Sequence, residues 1–227
     1  VPYLRFVGAL VIAAASAALA QASGPAPVGG RIEGIVRLVA PAGAAIVSGA
    51  YPSRRVSKRA APASQMKNVV VFIKDAPAPG ALPPVRAEIV QQDEAFEPAV
   101  LPITRGSTVE FPNSDPYFHN VFSLSRVATF DLGRYPRGAS RARTFNRAGL
   151  VKVYCHLHSH MSASILVFDH DLFTVPSPDG LFRIDDVPAG QYTLTAWHER
   201  IGESARRISV EPGRIARAEF LLPVEDR

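Results

Sequence analysis

Val151-Lys152-Val153-Tyr154-Cys155-His156-Leu157-His158-Ser159-His160-Met161 reads as a β-strand running into a short loop that carries soft and borderline metal ligands. Val151 and Val153 alternate with polar neighbours as one face of a strand requires. Cys155, His158 and Met161 then recur at every third position. A thiolate, an imidazole and a thioether together suit an ion that cycles between a softer reduced and a harder oxidised state, which singles out copper. A trigonal plane of two His and one Cys with a weak axial Met is the electron-transfer form of that chemistry. It needs a second imidazole from elsewhere in the chain. His119 is the candidate, in Phe111-Pro112-Asn113-Ser114-Asp115-Pro116-Tyr117-Phe118-His119-Asn120-Val121, a loop between two expected strands.

Cysteine usage points the same way. Residues 6–20 form an apolar run after the lone Arg5, closing in Ala18-Leu19-Ala20 before Gln21, the pattern of a cleaved secretory signal over residues 1–20. An uncleaved anchor is the alternative, but about 15 apolar residues fall short of the roughly 20 that span a bilayer. No later stretch of the sequence is long and apolar enough to span one, so the expected location is a periplasm or a similar exported space. Exported proteins normally use their cysteines in pairs. Cys155 is the only cysteine, so it is either buried and inert or protected by a metal.

Beyond residue 28 no sustained 3.6-residue apolar stripe occurs, and short β-rich runs separated by Gly, Pro, Asn and Asp continue to the end. The expected fold class is all-β. Strands are expected at 31–39, 69–74, 87–91, 100–104, 108–111, 120–123, 128–132, 142–145, 150–154, 164–168, 181–184, 191–197, 205–210 and 216–221. Residues 41–67, rich in Ala, Pro and Ser with a basic cluster, read as a flexible insertion, and 76–84 as a Pro-rich joint.

With His119-Asn120 upstream and Tyr154-Cys155-x-x-His158-x-x-Met161 downstream, residues 85–169 resemble a cupredoxin, nearest in loop spacing to amicyanin, pseudoazurin and plastocyanin. The resemblance implies a Greek-key β-sandwich holding one mononuclear type 1 copper. His119 and His158 would give imidazole nitrogens, Cys155 the thiolate and Met161 the axial sulfur. Asn120 would brace the two loops from the second shell. Phe111, Phe118, Phe122, Phe130 and Phe145 are expected to fill the barrel. His156 and His160 are either bystanders or ligands for Zn²⁺ or a second copper, and they stand where such proteins often carry proline.

After Asp169 the texture changes. Ser177-Pro178-Asp179-Gly180 and Val187-Pro188-Ala189-Gly190 are turns, each followed by a strand. This DGxFxI…VPAGxYxL pattern resembles the carboxypeptidase regulatory-like and transthyretin-like sandwiches, whose opening strand is matched by residues 30–36. The expectation is a discontinuous second sandwich from 30–75 and 170–223, with the copper domain inserted. The two-part layout resembles bacterial proteins labelled methylamine-utilisation or plastocyanin-like.

The formal charge of +5 is mild and does not demand nucleic acid. It is uneven, however: residues 34–74 and 132–168 are rich in Lys and Arg, patterns that would steer an acidic partner or merely line solvated loops. The functional expectation is a one-electron carrier between redox proteins, not an enzyme and with no catalytic residue. A copper nitrite reductase would need a second, His-only copper and usually a second cupredoxin domain, and neither is evident. The alternative is a copper-containing binding module whose terminal sandwich recognises a protein or a carbohydrate through Tyr192, Trp197, His198 and Glu199.

Overall fold

A computed structural model describes residues 29–39, 65–77 and 82–223. The expected signal at 1–20 and all but the last three residues of the expected insertion at 41–67 lie outside the described residues. In chain order the strands are β1 (Gly30–Val39), β2 (Val69–Ile73), β3 (Arg86–Glu88), β4 (Val90–Gln92), β5 (Ala95–Glu97), β6 (Val100–Thr104), β7 (Thr108–Pro112), β8 (His119–Ser125) and β9 (Ala128–Tyr135). They continue with β10 (Ser140–Thr144), β11 (Gly149–Tyr154), β12 (Ser162–Phe168), β13 (Phe173–Thr174), β14 (Leu181–Val187), β15 (Gly190–His198), β16 (Gly202–Val210) and β17 (Ile215–Pro223). No helix among the described residues is long and apolar enough to cross a membrane.

Besides the two-stranded β4-β5 sheet, four sheets stack face to face, and the burial pattern of individual strands explains the order. The outermost sheet is β14-β1-β17, and next comes β13-β2-β15-β16. Ile32 and Val36 from one and Val69, Val71, Ile73, Leu194 and Ala196 from the other meet in a first apolar core. The third sheet is β6-β12-β11-β8-β9 and the fourth β10-β7-β3. Val151, Val153, Ala163, Ile165 and Val167 meet Val109 and Phe111 in a second core.

Between the two middle sheets lies a third, smaller core of Val70, Phe72, Val100, Leu166, Phe168 and Trp197. All five residues of β2 are buried, as is the run from Ala163 to Phe168 in β12. Such unbroken buried runs mark strands covered on both faces, since successive side chains point to opposite sides. Val69-Val71-Ile73 serve the first core and Val70-Phe72 the third.

The first sheet also has a sequence-encoded close approach. Gly34 of β1 faces the Ala218 carbonyl of β17 and the Phe182 ring of β14 so closely that a Cβ built there would stand 2.0 Å from that oxygen. Only glycine lets the parallel β1–β17 pair and the Phe182 ring close over that point.

Several expectations are corrected in detail. The strand expected at 87–91 is two, β3 and β4, which join different sheets. The hairpin β4–β5 was not anticipated, because three-residue strands around Asp93-Glu94 leave no alternation to read. Of the phenylalanines expected in the barrel, Phe111 and Phe145 are buried but Phe118 is more than half exposed. Phe122 stacks on His156 at the surface, with ring centroids 3.7 Å apart. Tyr192, Trp197, His198 and Glu199 form no common patch. Tyr192 belongs to the first core and Trp197 to the third, on opposite faces of β15. His198 is fully buried, and Glu199 is ion-paired to Lys152 at 2.5 Å.

Candidate metal centre

His119 opens β8 and Cys155 immediately follows β11, and these two strands are neighbours in the third sheet. Tyr154 pairs with Phe122, so the end of β11 is held beside the start of β8. The loop after Cys155 folds back on itself: the Cys155 N–H donates to the Met161 carbonyl at 3.4 Å and the Met161 N–H to the His158 carbonyl at 3.0 Å. Three-residue spacing therefore works as a geometric device, bringing Cys155, His158 and Met161 round one tight turn before β12 begins.

Donor atoms of His119, Cys155 and His158 all lie within 4.8 Å of one another. The Nδ1 atoms of His119 and His158 face each other at 3.0 Å, and Cys155 Sγ is 3.8 Å from His119 Nδ1. His119 and Cys155 are buried and His158 is half-buried, so one imidazole edge reaches towards solvent. Met161 is buried in the same core as Cys155. The donor set is that of a mononuclear type 1 copper site.

A carboxylate that sequence reasoning passed over fixes the first imidazole. Asp115 Oδ2 lies 2.8 Å from His119 Nε2. Asp115 is buried, and it also accepts the backbone N–H groups of Asp93 at 2.7 Å and Glu94 at 2.9 Å. Burial pushes the Asp115 carboxyl up, but the hydrogen bonds from Glu94, His119 and Asp93 outweigh it and its pKa is lowered. An ionised carboxylate only accepts, so the proton sits on His119 Nε2 and the Nδ1 lone pair is left pointing at Cys155 and His158. Two imidazole nitrogens and a sulfur converging in this way fit a soft, tricoordinating cation. The arrangement is the carboxylate–histidine support that metal sites commonly use to set tautomer and ring orientation.

The loop bearing Asp115 is itself braced. Asn113 Oδ1 accepts the Asp115 N–H at 3.0 Å, and Asn113 Nδ2 donates to the carbonyls of Tyr117 and Tyr135. Asp93 and Glu94, at φ 53° and 52°, form the tight β4–β5 turn whose amides reach Asp115. No single-residue signal in the sequence marks Asp115 as special. The backbone amides that its carboxylate accepts are more than twenty positions upstream, in a hairpin that the sequence pattern does not reveal.

Asn120 ties β8 to the ligand loop, its Oδ1 accepting the His156 N–H at 2.7 Å while its Nδ2 lies 3.2 Å from His156 Nδ1. His156 thus has one ring nitrogen engaged with Asn120 and its face on Phe122. His160 Nε2 lies at the surface 3.4 Å from Glu94 Oε2. Neither ring nitrogen belongs to the converging donor group. His170 and His198 lie apart from it and do not converge with each other: His170 Nδ1 accepts the Leu172 N–H and His198 Nδ1 the Arg200 N–H.

No protein-family profile matches the chain, and no curated protein matches it. Among solved structures it is similar to a copper-containing nitrite reductase from Thermus scotoductus, at 26% identity and a TM-score of 0.36, over 41% of this chain and 24% of that one. The chain therefore spans about a quarter of the reductase's length. A purple cupredoxin from Nitrosopumilus maritimus is matched at 23% identity and a TM-score of 0.34, over 36% of this chain and 99% of that one. A methionine-to-glutamine variant of amicyanin in its Cu(I) form is matched at 21% identity and a TM-score of 0.35, over 37% and 82%.

Proposed function

We propose that the chain is an exported, cupredoxin-like electron carrier that holds one type 1 copper between His119, Cys155, His158 and Met161. The observation that carries this reading is the convergence of the His119 and His158 Nδ1 atoms and Cys155 Sγ at one end of the sandwich. Bound copper would supply a one-electron couple. The protein's own residues hold nearly one geometry for both oxidation states: the 155–161 loop is closed by its own hydrogen bonds, Asp115 and Asn113 fix His119, and Asn120 joins the two ligand-bearing segments. Little rearrangement then accompanies electron movement. The half-buried His158 edge, beside exposed Tyr117, Phe118 and Leu157, is the point of electron entry and exit.

Redox proteins are the partners on this reading, and a periplasm-like compartment is its location. The second pair of sheets is proposed to be a regulatory-like sandwich, supported by the turns at Asp179-Gly180 and Ala189-Gly190 that lead into β14 and β15.

The test is the visible spectrum of the protein titrated with Cu(II) beside a Cys155→Ser variant. An intense thiolate-to-copper band in the native protein that is absent from the variant supports the site. Metal binding without that band in the native protein would sink the four-ligand assignment.

A further inference from the structure

β9 and β10 are the edge strands of the third and fourth sheets, and together they form one side of the copper-bearing sandwich. All but one of its charged side chains are arginines. Between positions 126 and 147 the sequence places Arg126, Arg134, Arg137, Arg141, Arg143 and Arg147, with Asp131 as the only acid. All six arginines are exposed. Asp131, itself exposed, accepts the Gly133 N–H at 2.8 Å and lies 3.3 Å from Asn120 Nδ2. None of the six arginines has an ion-pair partner among the described residues.

Basic side chains elsewhere on the surface are mostly neutralised. Arg37 meets Glu219, Lys67 meets Glu97, Lys74 meets Glu203, Arg86 meets Glu110 and Arg105 meets Asp169. The β9–β10 side is the exception. Arg141 and Arg143 lie across the gap between the two edge strands, Arg141 5.4 Å above the Tyr135 ring and donating to the Leu132 carbonyl, Arg143 5.5 Å above the Phe130 ring. These contacts hold Arg141 and Arg143 against β9.

Its place relative to the metal gives it meaning. In the β8–β9 register Tyr135 is opposite His119 and Arg134 is opposite Asn120. Arg137 sits in the β9–β10 turn, whose Gly138 and Ala139 are hydrogen-bonded to Asn113 in the loop that holds His119. The positive strip therefore starts one residue pair from a copper ligand. Tyr117 and Phe118, both more than half exposed, directly precede His119, and the Tyr117 ring lies 6.4 Å from that of His158.

We propose that the β9–β10 arginine edge is the docking surface for an acidic redox protein, with the Tyr117–Phe118–Leu157 rim as the apolar centre of the contact. An apolar centre flanked by charge is the anatomy of a transient protein interface. Unpaired like charges at one side of a site steer an oppositely charged partner and raise its association rate by about 10- to 1000-fold at low salt. The inference rests on the copper carrier reading above, and its experiment separates the two.

The reaction to follow is oxidation of the Cu(I)-loaded protein by hexacyanoferrate(III), in which one electron passes from copper to the trianion to give the Cu(II) protein and hexacyanoferrate(II). The same reaction with tris(phenanthroline)cobalt(III), a trication, gives the Cu(II) protein and the cobalt(II) complex. Arg134→Glu/Arg137→Glu is compared with Arg214→Glu/Arg217→Glu, an equal change in net charge placed at the start of β17 in the outermost sheet. The edge variant is expected to slow the anionic oxidant about tenfold at low salt and to speed the cationic one. The difference should vanish at about 1 M salt, where charges are screened within roughly 3 Å, and the control should change little. Polyglutamate should compete with hexacyanoferrate(III) for the native protein and not for the edge variant. Equal effects from both variants would overturn the proposal, as would competition by duplex DNA but not by polyglutamate. Absence of the thiolate-to-copper band in the native protein would instead overturn the carrier reading itself.

Discussion

Asp115 shows how a single side chain can act on a metal it does not touch. Its carboxylate leaves His119 with Nε2 protonated and Nδ1 free, and pulls electron density into the ring that donates to the metal. A better donor stabilises the more highly charged oxidised ion. Asp115→Asn keeps one oxygen, so it loses either the Asp93 N–H accepted at Oδ1 or the Glu94 N–H and His119 Nε2 accepted at Oδ2, and it presents no ionised acceptor. The variant is expected to bind Cu(II) about 10- to 100-fold more weakly, the usual cost of losing such a partner. Cu(I) should be less affected, so the reduction potential rises by about 59 mV for each tenfold difference. Spectroelectrochemistry measures this directly, and a normal potential in a folded variant would remove Asp115 from the site. Cys155, His158 and Met161 were legible because their chemistry and spacing lie on one loop. His119 was legible as a histidine in a loop between strands. Asp115 was not, because an aspartate in Asn113-Ser114-Asp115-Pro116 looks like turn chemistry until the hairpin carrying Asp93 and Glu94 folds against it.

At the scale of elements, two histidines occupy places where strands meet and where a charge is unwelcome. His198 ends β15, fully buried, and His170 lies buried in the connection from β12 to β13, with its ring 5.3 Å from that of Phe168. Burial lowers the pKa of both. The unfolded chain takes up protons on these groups near the ordinary imidazole value of about 6.5, whereas the folded chain resists until lower pH. Between those two values the unfolded state binds more protons, so stability rises with pH through that window. The stability the two groups contribute is present above pH ~6.5 and is lost as pH falls below it towards their folded pKa values. Urea unfolding of the copper-free protein at pH 7.5 and 5.5 should show a lower midpoint at the acid value, and the His170→Gln/His198→Gln variant should show a smaller difference. An unchanged difference would assign the acid sensitivity to other groups. The sequence pattern located β15 well, yet gave no hint that Trp197 and His198 face opposite cores. That follows from alternation only once both faces of the strand are known to be covered.

For the whole molecule, the third core decides whether the four sheets behave as two bodies or one. Phe72 and Phe168 meet at 4.9 Å and Phe168 and Phe173 at 4.8 Å, with Trp197 buried among the same group. Polar links fasten the rim: Lys152 and Ser164 from the third sheet converge on Glu199, which directly follows β15 of the second. Each large apolar side chain buried there contributes roughly 1.5–3 kcal/mol. Six of them make separation costly against a typical domain stability of about 5–15 kcal/mol. Trp197 is the only tryptophan in the chain, so its fluorescence reports this junction and the thiolate-to-copper band reports the far end of the copper sandwich. In urea the two signals of the copper-loaded protein are expected to disappear together, in one cooperative transition. Phe168→Ala, a truncation that costs about 3–5 kcal/mol in a packed core, should weaken the junction and make fluorescence change at lower urea than the band. Separate transitions already in the native protein would mean that the junction is too weak to couple the sandwiches, and that the second pair of sheets moves independently of the copper centre.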